Sequence, residues 1–372
     1  MESLRSLFSA LLLGSLSAPG FAAPVGGFSE TTLVTSATDP DLVNPWGISL
    51  SGGSPFWVSD NGTGKATLYN STGVKQGLVV SMPTGSEPVT GQVFNGTASF
   101  NGDTFVFATE KGTLAGWRSG LGTTAEQLFG VAAANYKGLA ISSDKSTLYA
   151  ANFSQGTVDI FDSTGRIFSV ADPTLPVGYD PFNVQNLGGK LFVTFALNNG
   201  GDDVAGAGHG FVKVFDPVAH TFSSLVAQGA LNSPWGLALA PAGFGALGGD
   251  LLVGNFSDGL INAFNPITGA LAGTLADASL KPLVNDGLWG LTFGNGGNGG
   301  STASLYLTAG PDDEKGGLFA RIDSSAAPVP EPEIWALWMG GLTLLLARKV
   351  SASRSKARRE QKTRSPKQST ET

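Results

Sequence analysis

The sequence predicts an all-β fold, a six-bladed β-propeller of four-stranded antiparallel blades, followed by one hydrophobic helix near the C-terminus. Three observations predict it. An element centred on Gly47, Gly91, Gly138, Asn183, Gly236 and Gly290 recurs at steps of 44, 47, 45, 53 and 54 residues, the length of a four-stranded blade. Glycine fills 53 of 372 positions, about twice the ~7% average, as many short strands joined by tight turns require. Charged residues make up 14% of the chain against 41% hydrophobic, which excludes a coiled coil or a disordered chain, both of which need far more charge.

The chain begins with a single Arg5, an apolar run from Leu7 to Leu16 and then small residues. That is the layout of a secretory signal peptide over residues 1–22, with cleavage expected after Ala22. The body over 24–323 then repeats one unit. Its first strand opens with Trp46-Gly47, Gly91-Gln92, Lys137-Gly138, Phe182-Asn183, Trp235-Gly236 and Trp289-Gly290. A residue without Cβ suits the innermost strand of a blade, where neighbouring backbones crowd the axis. Trp46, Trp235 and Trp289 are expected to fill space between adjacent blades. The second strand reads PFWVSDNG from Pro55, TFVFATEKG from Thr104, TLYAANFSQG from Thr147, KLFVTFA from Lys190, DLLVGNFSDG from Asp250 and SLYLTAG from Ser304. The third ends in a turn, as in TVDIFDSTG from Thr157, where hydrophobic residues flank Asp159 in the manner of a half-buried strand. The fourth is the least visible.

A linker over 324–329 follows the body, then Pro330-Glu331-Pro332 and the uncharged run Ile334–Ala347. At 1.5 Å per residue this run spans about 21 Å, short of the ~30 Å hydrocarbon core, so flanking residues must complete a crossing. Trp335 and Trp338 suit the interface at one end. Arg348 and Lys349 open a basic cluster that stays cytoplasmic by the positive-inside rule, and residues 360–372 form a disordered tail. Residues 24–328 carry 12 Lys/Arg against 24 Asp/Glu, whereas 348–372 carry 9 against 2. An acidic body would repel phosphates, so nucleic acid is excluded as a partner. Cysteine is absent and histidine is limited to His209 and His220, which excludes thiol chemistry and disfavours zinc sites.

Pro330-Glu331-Pro332, the short apolar helix and the Arg-rich end resemble the PEP-CTERM sorting signal (330–359) of Gram-negative bacteria. The resemblance implies a membrane exosortase as partner, transient anchoring through the C-terminal helix, and delivery to the cell surface or extracellular polymer. The body segments PFWVSDNGTGKATLYN, LYAANFSQGTVDIFD, GYDPFNVQNLGGKLFVTFA and LLVGNFSDGLINAFNPITG are similar to a family of exported bacterial six-bladed propellers of the NHL-like kind with no assigned activity.

Polar residues close the second strands: Asp60, Asn61, Glu110, Asn152 and Asn255. Equivalent loops of a propeller converge on one face, so these oxygens are candidates for an axial ring. Oxygen-only ligands suit Ca²⁺ or Mg²⁺, and gluconolactonase-like propellers offer a fold-level parallel. The competing reading is that they satisfy turns. Asp202 and Asp203, in a long insertion of the fourth blade, and Asp312 in the last blade are weaker metal candidates. No nucleophile elbow, phosphate loop or HExxH is present. The leading reading is therefore a non-enzymatic surface or matrix module that binds a polysaccharide or protein. A metal-dependent, lactonase-like hydrolase and a purely structural matrix component are the alternatives.

Overall fold

In a computed structural model, which describes residues 22–325, the body is a closed ring of six antiparallel four-stranded blades. Blade 1 comprises Pro45–Ser49, Phe56–Asp60, Lys65–Tyr69 and Val80–Ser81, and blades 2 to 5 follow in chain order with inner strands Val89–Phe94, Tyr136–Ile141, Tyr179–Leu187 and Pro234–Leu239. Blade 6 is built from both directions of the chain. Leu288–Phe293, Ser304–Ala309 and Leu318–Ser324 supply its three inner strands, and Phe28–Thr35 is its outermost strand. The pairing of Phe28–Thr35 runs from Phe28 opposite Ser324 to Thr35 opposite Leu318. This closure explains why no fourth strand follows Leu318 in the repeat pattern: the repeat is one strand out of phase with the blade. Just before it, Pro24–Val25 runs parallel along Leu271–Leu275 as a fifth strand of blade 5. Among the described residues no helix is long and apolar enough to cross a membrane. The sorting segment with Pro330, Glu331, Pro332, Arg348 and Lys349, the helix expected at 334–347, and the leader apart from Ala22 lie outside the described residues.

The recurring glycine is explained by the meeting of inner strands. A Cβ at Gly47 would stand 2.5 Å from the carbonyl oxygen of Thr90 in blade 2, and one at Gly236 would stand 2.5 Å from that of Trp289 in blade 6. Gly91, Gly138 and Gly290 meet the next blade in the same way. Asn183 stands where the other blades have glycine, and its Nδ2 donates to the Trp235 carbonyl at 2.8 Å, so the side chain bridges to blade 5 instead.

Each inner strand also carries a register shift at this point, between Pro45 and Ile48, Val89 and Gln92, Tyr136 and Gly138, Pro181 and Asn183, Pro234 and Gly236, and Leu288 and Leu291. A bulge of this kind re-aims a side chain. Here it allows the residue before the glycine to face the axis while the glycine faces the neighbouring blade.

Six hydrophobic clusters fill the spaces between neighbouring blades, such as Trp57, Phe105, Phe107 and Trp117 between blades 1 and 2. A seventh lies on the axis and contains Trp46, Phe153, Phe182, Ala196, Trp235 and Trp289. This corrects the expectation for the three tryptophans. They pack on one another across the axis, Trp46 stacked on Trp289 with centroids 3.5 Å apart and Trp235 edge-on to both at 6.0 and 5.8 Å. Trp46 and Trp235 come from blades that are not neighbours, so the indoles plug the channel and do not separate adjacent blades.

Candidate binding site at the axis

On the face where the inner strands begin and the second strands end, all six blades surround a bowl of about 510 Å³. Trp46, Phe182, Phe256 and Trp289 form its aromatic part. Lys137, Asn61, Glu110, Asp202, Asp203, Ser257, Asp286, Asp313 and Glu314 supply its polar groups. Six of these are carboxylates, and Lys137 is the one cation lining the bowl.

The sequence candidates divide according to strand alternation. Asn61 and Glu110 sit one residue past the ends of their second strands and line the bowl. The equivalent position holds Phe153, Ala196, Phe256 and Gly310 in blades 3 to 6, aromatic or small instead of polar. Asp60, Asn152 and Asn255 are the preceding residue in their blades, and adjacent residues of a strand face opposite ways. They are fully enclosed and do not line the bowl. Asp60 Oδ2 accepts from Thr67 Oγ1 at 2.7 Å. Asn152 Nδ2 donates to Asp159 Oδ2 at 3.0 Å, and Asn255 Nδ2 to the Ala230 carbonyl at 2.9 Å. The five therefore occupy two registers and form no single axial ring. Among the described residues no three His, Cys, Asp or Glu side chains gather closely enough to hold a metal ion.

Burial pushes the Asp60 carboxyl well above the ordinary carboxylate value, the Thr67 hydrogen bond opposing this and the charges of Asp39 and Asp41 adding to it. Its Oδ1 has no partner among the described residues.

The long insertion of blade 4 brings Asp202 and Asp203 to the bowl. Ser257 Oγ donates to Asp203 Oδ2 at 3.2 Å. His209 is held away, its Nδ1 2.9 Å from the Val204 carbonyl oxygen. Asp312 does not line the bowl; its backbone N–H donates to Asp286 Oδ2 at 3.1 Å. Its neighbours Asp313 and Glu314 do line it. Asp312, Asp313 and Glu314 all have positive φ, at 60, 54 and 62°. Consecutive left-handed residues other than glycine are strained, and such strain gathers at functional sites. Asn44, itself at φ 44°, holds the loop: its Nδ2 donates to Glu314 Oε2 at 2.5 Å, while its Oδ1 accepts from Trp289 Nε1 at 2.9 Å. Burial raises the Glu314 carboxyl above its ordinary value, the Asn44 hydrogen bond and the charge of Lys137 opposing this and the charges of Glu110 and Asp203 reinforcing it.

Lys137 is 5% exposed. Its ammonium donates to Glu110 Oε1 and lies 5.1 Å from the centre of the Trp46 ring. Sequence reading did not select Lys137, Asp286, Phe256 or the tryptophans as site residues, and from the acidic run Asp312–Glu314 it selected Asp312. Lys137 and the tryptophans share one place, the residue before the marker, and that alignment was the available signal.

The opposite mouth of the channel is lined by Ser49, Gln92, Phe94, Ile141, Lys145 and Gln185, among others. Among the described residues it presents amides, hydroxyls, alkyl groups and the Lys145 ammonium, with no carboxylate.

Comparison with known proteins bears on the whole body. Protein R648 of Acanthamoeba polyphaga mimivirus is 32% identical over 291 residues, covering 71% of each chain. The chain belongs to the R648 family. Protein L690 of the same virus is 29% identical over 322 residues, covering 79% of this chain and 83% of its own. Both relatives are uncharacterized proteins. No family model matches the chain. Among solved structures, a streptogramin B lyase superposes with a TM-score of 0.52 at 11% identity, over 80% of this chain and 98% of its own. Virginiamycin B lyase from Staphylococcus aureus does so with a TM-score of 0.51 at 11% identity and the same coverage. At that identity the likeness shows the propeller fold alone, which the R648 family member described here shares.

Proposed function

We propose that this R648-family chain is a non-enzymatic binding module that works outside the cytoplasmic membrane and holds a polysaccharide or protein ligand in its axial bowl. The observation that carries the reading is the contrast between a repeated scaffold and an unrepeated site. Six blades share one backbone plan, yet the residues before the markers are Trp46, Thr90, Lys137, Phe182, Trp235 and Trp289. Packing alone would be served by six similar residues. A concave, partly aromatic surface with a few convergent polar groups is the usual form of a ligand site, and the strained Asp312–Glu314 loop adds a feature that packing does not require.

The address rests on the two ends of the chain. The leader over 1–22 would export the body, and Pro330-Glu331-Pro332 with Arg348 and Lys349 would present it to an exosortase-type enzyme of a Gram-negative host, with release to the surface or extracellular polymer. Replacing Pro330 and Glu331 in such a host is expected to leave the protein in the membrane fraction; normal release would remove the sorting assignment. The binding reading is tested by retention of the full chain on extracellular polymer. Glu314→Gln combined with Asp203→Asn is expected to abolish retention, and unchanged retention would refute the bowl as the site.

The hydrolase alternative is less well supported. A lactonase-like metal centre would draw on Asp60, Asn152 and Asn255, which are enclosed within blades. A lyase reading by analogy with the streptogramin enzymes meets a different obstacle, because neither His209 nor His220 lines the bowl. One virginiamycin B lyase is catalytically inactive as a histidine-to-alanine variant.

A further inference from the structure

We infer that the axial bowl recognises an ammonium group, carried on a small polyamine or on an amino sugar. The inference rests on the bowl being the binding site and names the chemistry that the site selects.

Four features of the bowl converge on this ligand. First, the lining is unbalanced: Glu110, Asp202, Asp203, Asp286, Asp313 and Glu314 face Lys137 alone. Lys137 is already engaged by Glu110, and Lys315 approaches Asp313 only at 3.4 Å on the open surface. No Lys or Arg pairs with Asp202, Asp203, Asp286 or Glu314 among the described residues. Second, these carboxylates border the part-exposed Phe256 ring, which stacks on the buried Trp289, and an aromatic face attracts a cation through its quadrupole. Third, the protein already uses this chemistry on itself. Lys137 is nearly buried, with its ammonium against the Trp46 ring and a Glu110 carboxylate, so one ammonium of the kind proposed is seated there. Fourth, the indole N–H of Trp46, a residue 2% exposed, has no acceptor among the described residues, whereas those of Trp235 and Trp289 are satisfied by the Lys137 carbonyl and Asn44 Oδ1. A hydroxyl beside the ammonium, as on a sugar, would supply the missing acceptor once binding opened a way to this enclosed N–H.

The same arrangement disfavours a bare divalent ion. Calcium takes six to eight oxygens at about 2.3–2.6 Å, and the described carboxylates do not gather to that density. An ammonium is satisfied by one or two carboxylates and a ring face, and the bowl offers its carboxylates beside the part-exposed Phe256 ring. Its volume of about 510 Å³ falls within the ordinary range of small-molecule sites.

Acidification should weaken the interaction. Glu314, whose carboxyl is raised by burial and faces Asn44, Lys137, Glu110 and Asp203, takes up a proton at a higher pH than an ordinary carboxylate and then no longer attracts a cation.

The test is calorimetric titration of the full-length protein with spermidine, with a glucosamine oligomer, and with the fully N-acetylated form of that oligomer, which lacks the charge. The expected result is saturable binding of at least one charged probe, at least tenfold weaker binding of the acetylated oligomer, and a loss of at least tenfold in Glu314→Gln and in Asp203→Asn. Thermal melting confirms that both variants fold, and Asp286→Asn serves as a third variant should either fail to. Spermidine binding with no oligomer binding would assign the source as a free polyamine, and the reverse would assign an amino sugar. Equal binding of the acetylated oligomer, one-for-one displacement by Ca²⁺, or no binding of either charged probe would overturn the inference. Should both charged probes fail while the double variant still abolishes polymer retention, the ammonium assignment falls and the binding-module reading survives. Should the double variant retain polymer normally, that reading falls as well.

Discussion

Two neighbouring layers of the axis obey different rules. In one, Gly47, Gly91, Gly138, Gly236 and Gly290 bring inner strands so close that an added Cβ would meet the next blade. One residue earlier stands Trp46, Thr90, Lys137, Trp235 or Trp289, with Phe182 before Asn183 in the remaining blade. The bulge at this position in every blade places the two layers side by side. The first layer is repetitive because it meets one geometric demand six times. The second is free to vary, and four of its residues, Trp46, Lys137, Phe182 and Trp289, line the bowl. The difference teaches that, in this propeller, repetition carries the fold and departure from repetition carries the site.

The largest expected effect comes from opening the ring in which both layers sit. Removing Phe28–Thr35 strips blade 6 of its outermost strand and takes away buried Phe28 and Val34. Phe28→Ala alone should cost about 3–5 kcal/mol, and the whole deletion should exceed that, comparable with the roughly 5–15 kcal/mol by which a domain is stable. Chemical denaturation would show it as loss of a cooperative transition. Survival of that transition would mean that closure through the N-terminal strand is dispensable.

Next come substitutions within the glycine layer. Gly236→Ala and Gly47→Ala should each destabilise by about 1–3 kcal/mol through overpacking. Gly53, where a Cβ would meet nothing within 4 Å, should tolerate alanine within about 0.5 kcal/mol. Equal effects at all three positions would break the comparison.

Asp60 gives a smaller effect that depends on pH. Because burial raises its carboxyl above the unfolded value, the folded state holds its proton more tightly. The associated stabilisation is complete below the ordinary carboxylate value and is lost as pH rises through the raised one. Asp60→Asn should therefore raise the melting temperature at neutral pH relative to the parent, with the advantage shrinking as the pH is lowered toward 4. An advantage independent of pH would show that the carboxyl titrates normally.

How much of this was legible beforehand follows from the same division. The six-blade plan could be read because glycine recurs at blade spacing. The strand Phe28–Thr35 stayed hidden because its partner, Leu318–Ser324, lies at the other end of the body. Asn61, Glu110, Asp202 and Asp203 were found as polar residues at second-strand ends or in a long loop. Asp60, Asn152 and Asn255 were grouped with them because a one-residue offset, invisible in composition, decides whether a side chain faces the axis or the blade interior. Asp312 was selected from the acidic run in place of Asp313 and Glu314 because the left-handed turn of Asp312–Glu314 decides which of three acidic neighbours enter the bowl, and no sequence pattern marks that turn.

The smallest expected effect on stability belongs to the bowl, and it provides the most direct test. Glu314→Gln combined with Asp203→Asn should leave the melting temperature of the full-length protein close to the parent value, because among the described residues neither carboxylate pairs with a cation. The deciding measurement is calorimetric titration of that double variant with the charged probe that binds the parent. The account predicts a folded protein that no longer binds. A double variant that binds with parental affinity would contradict the claim that the site lies in the axial bowl.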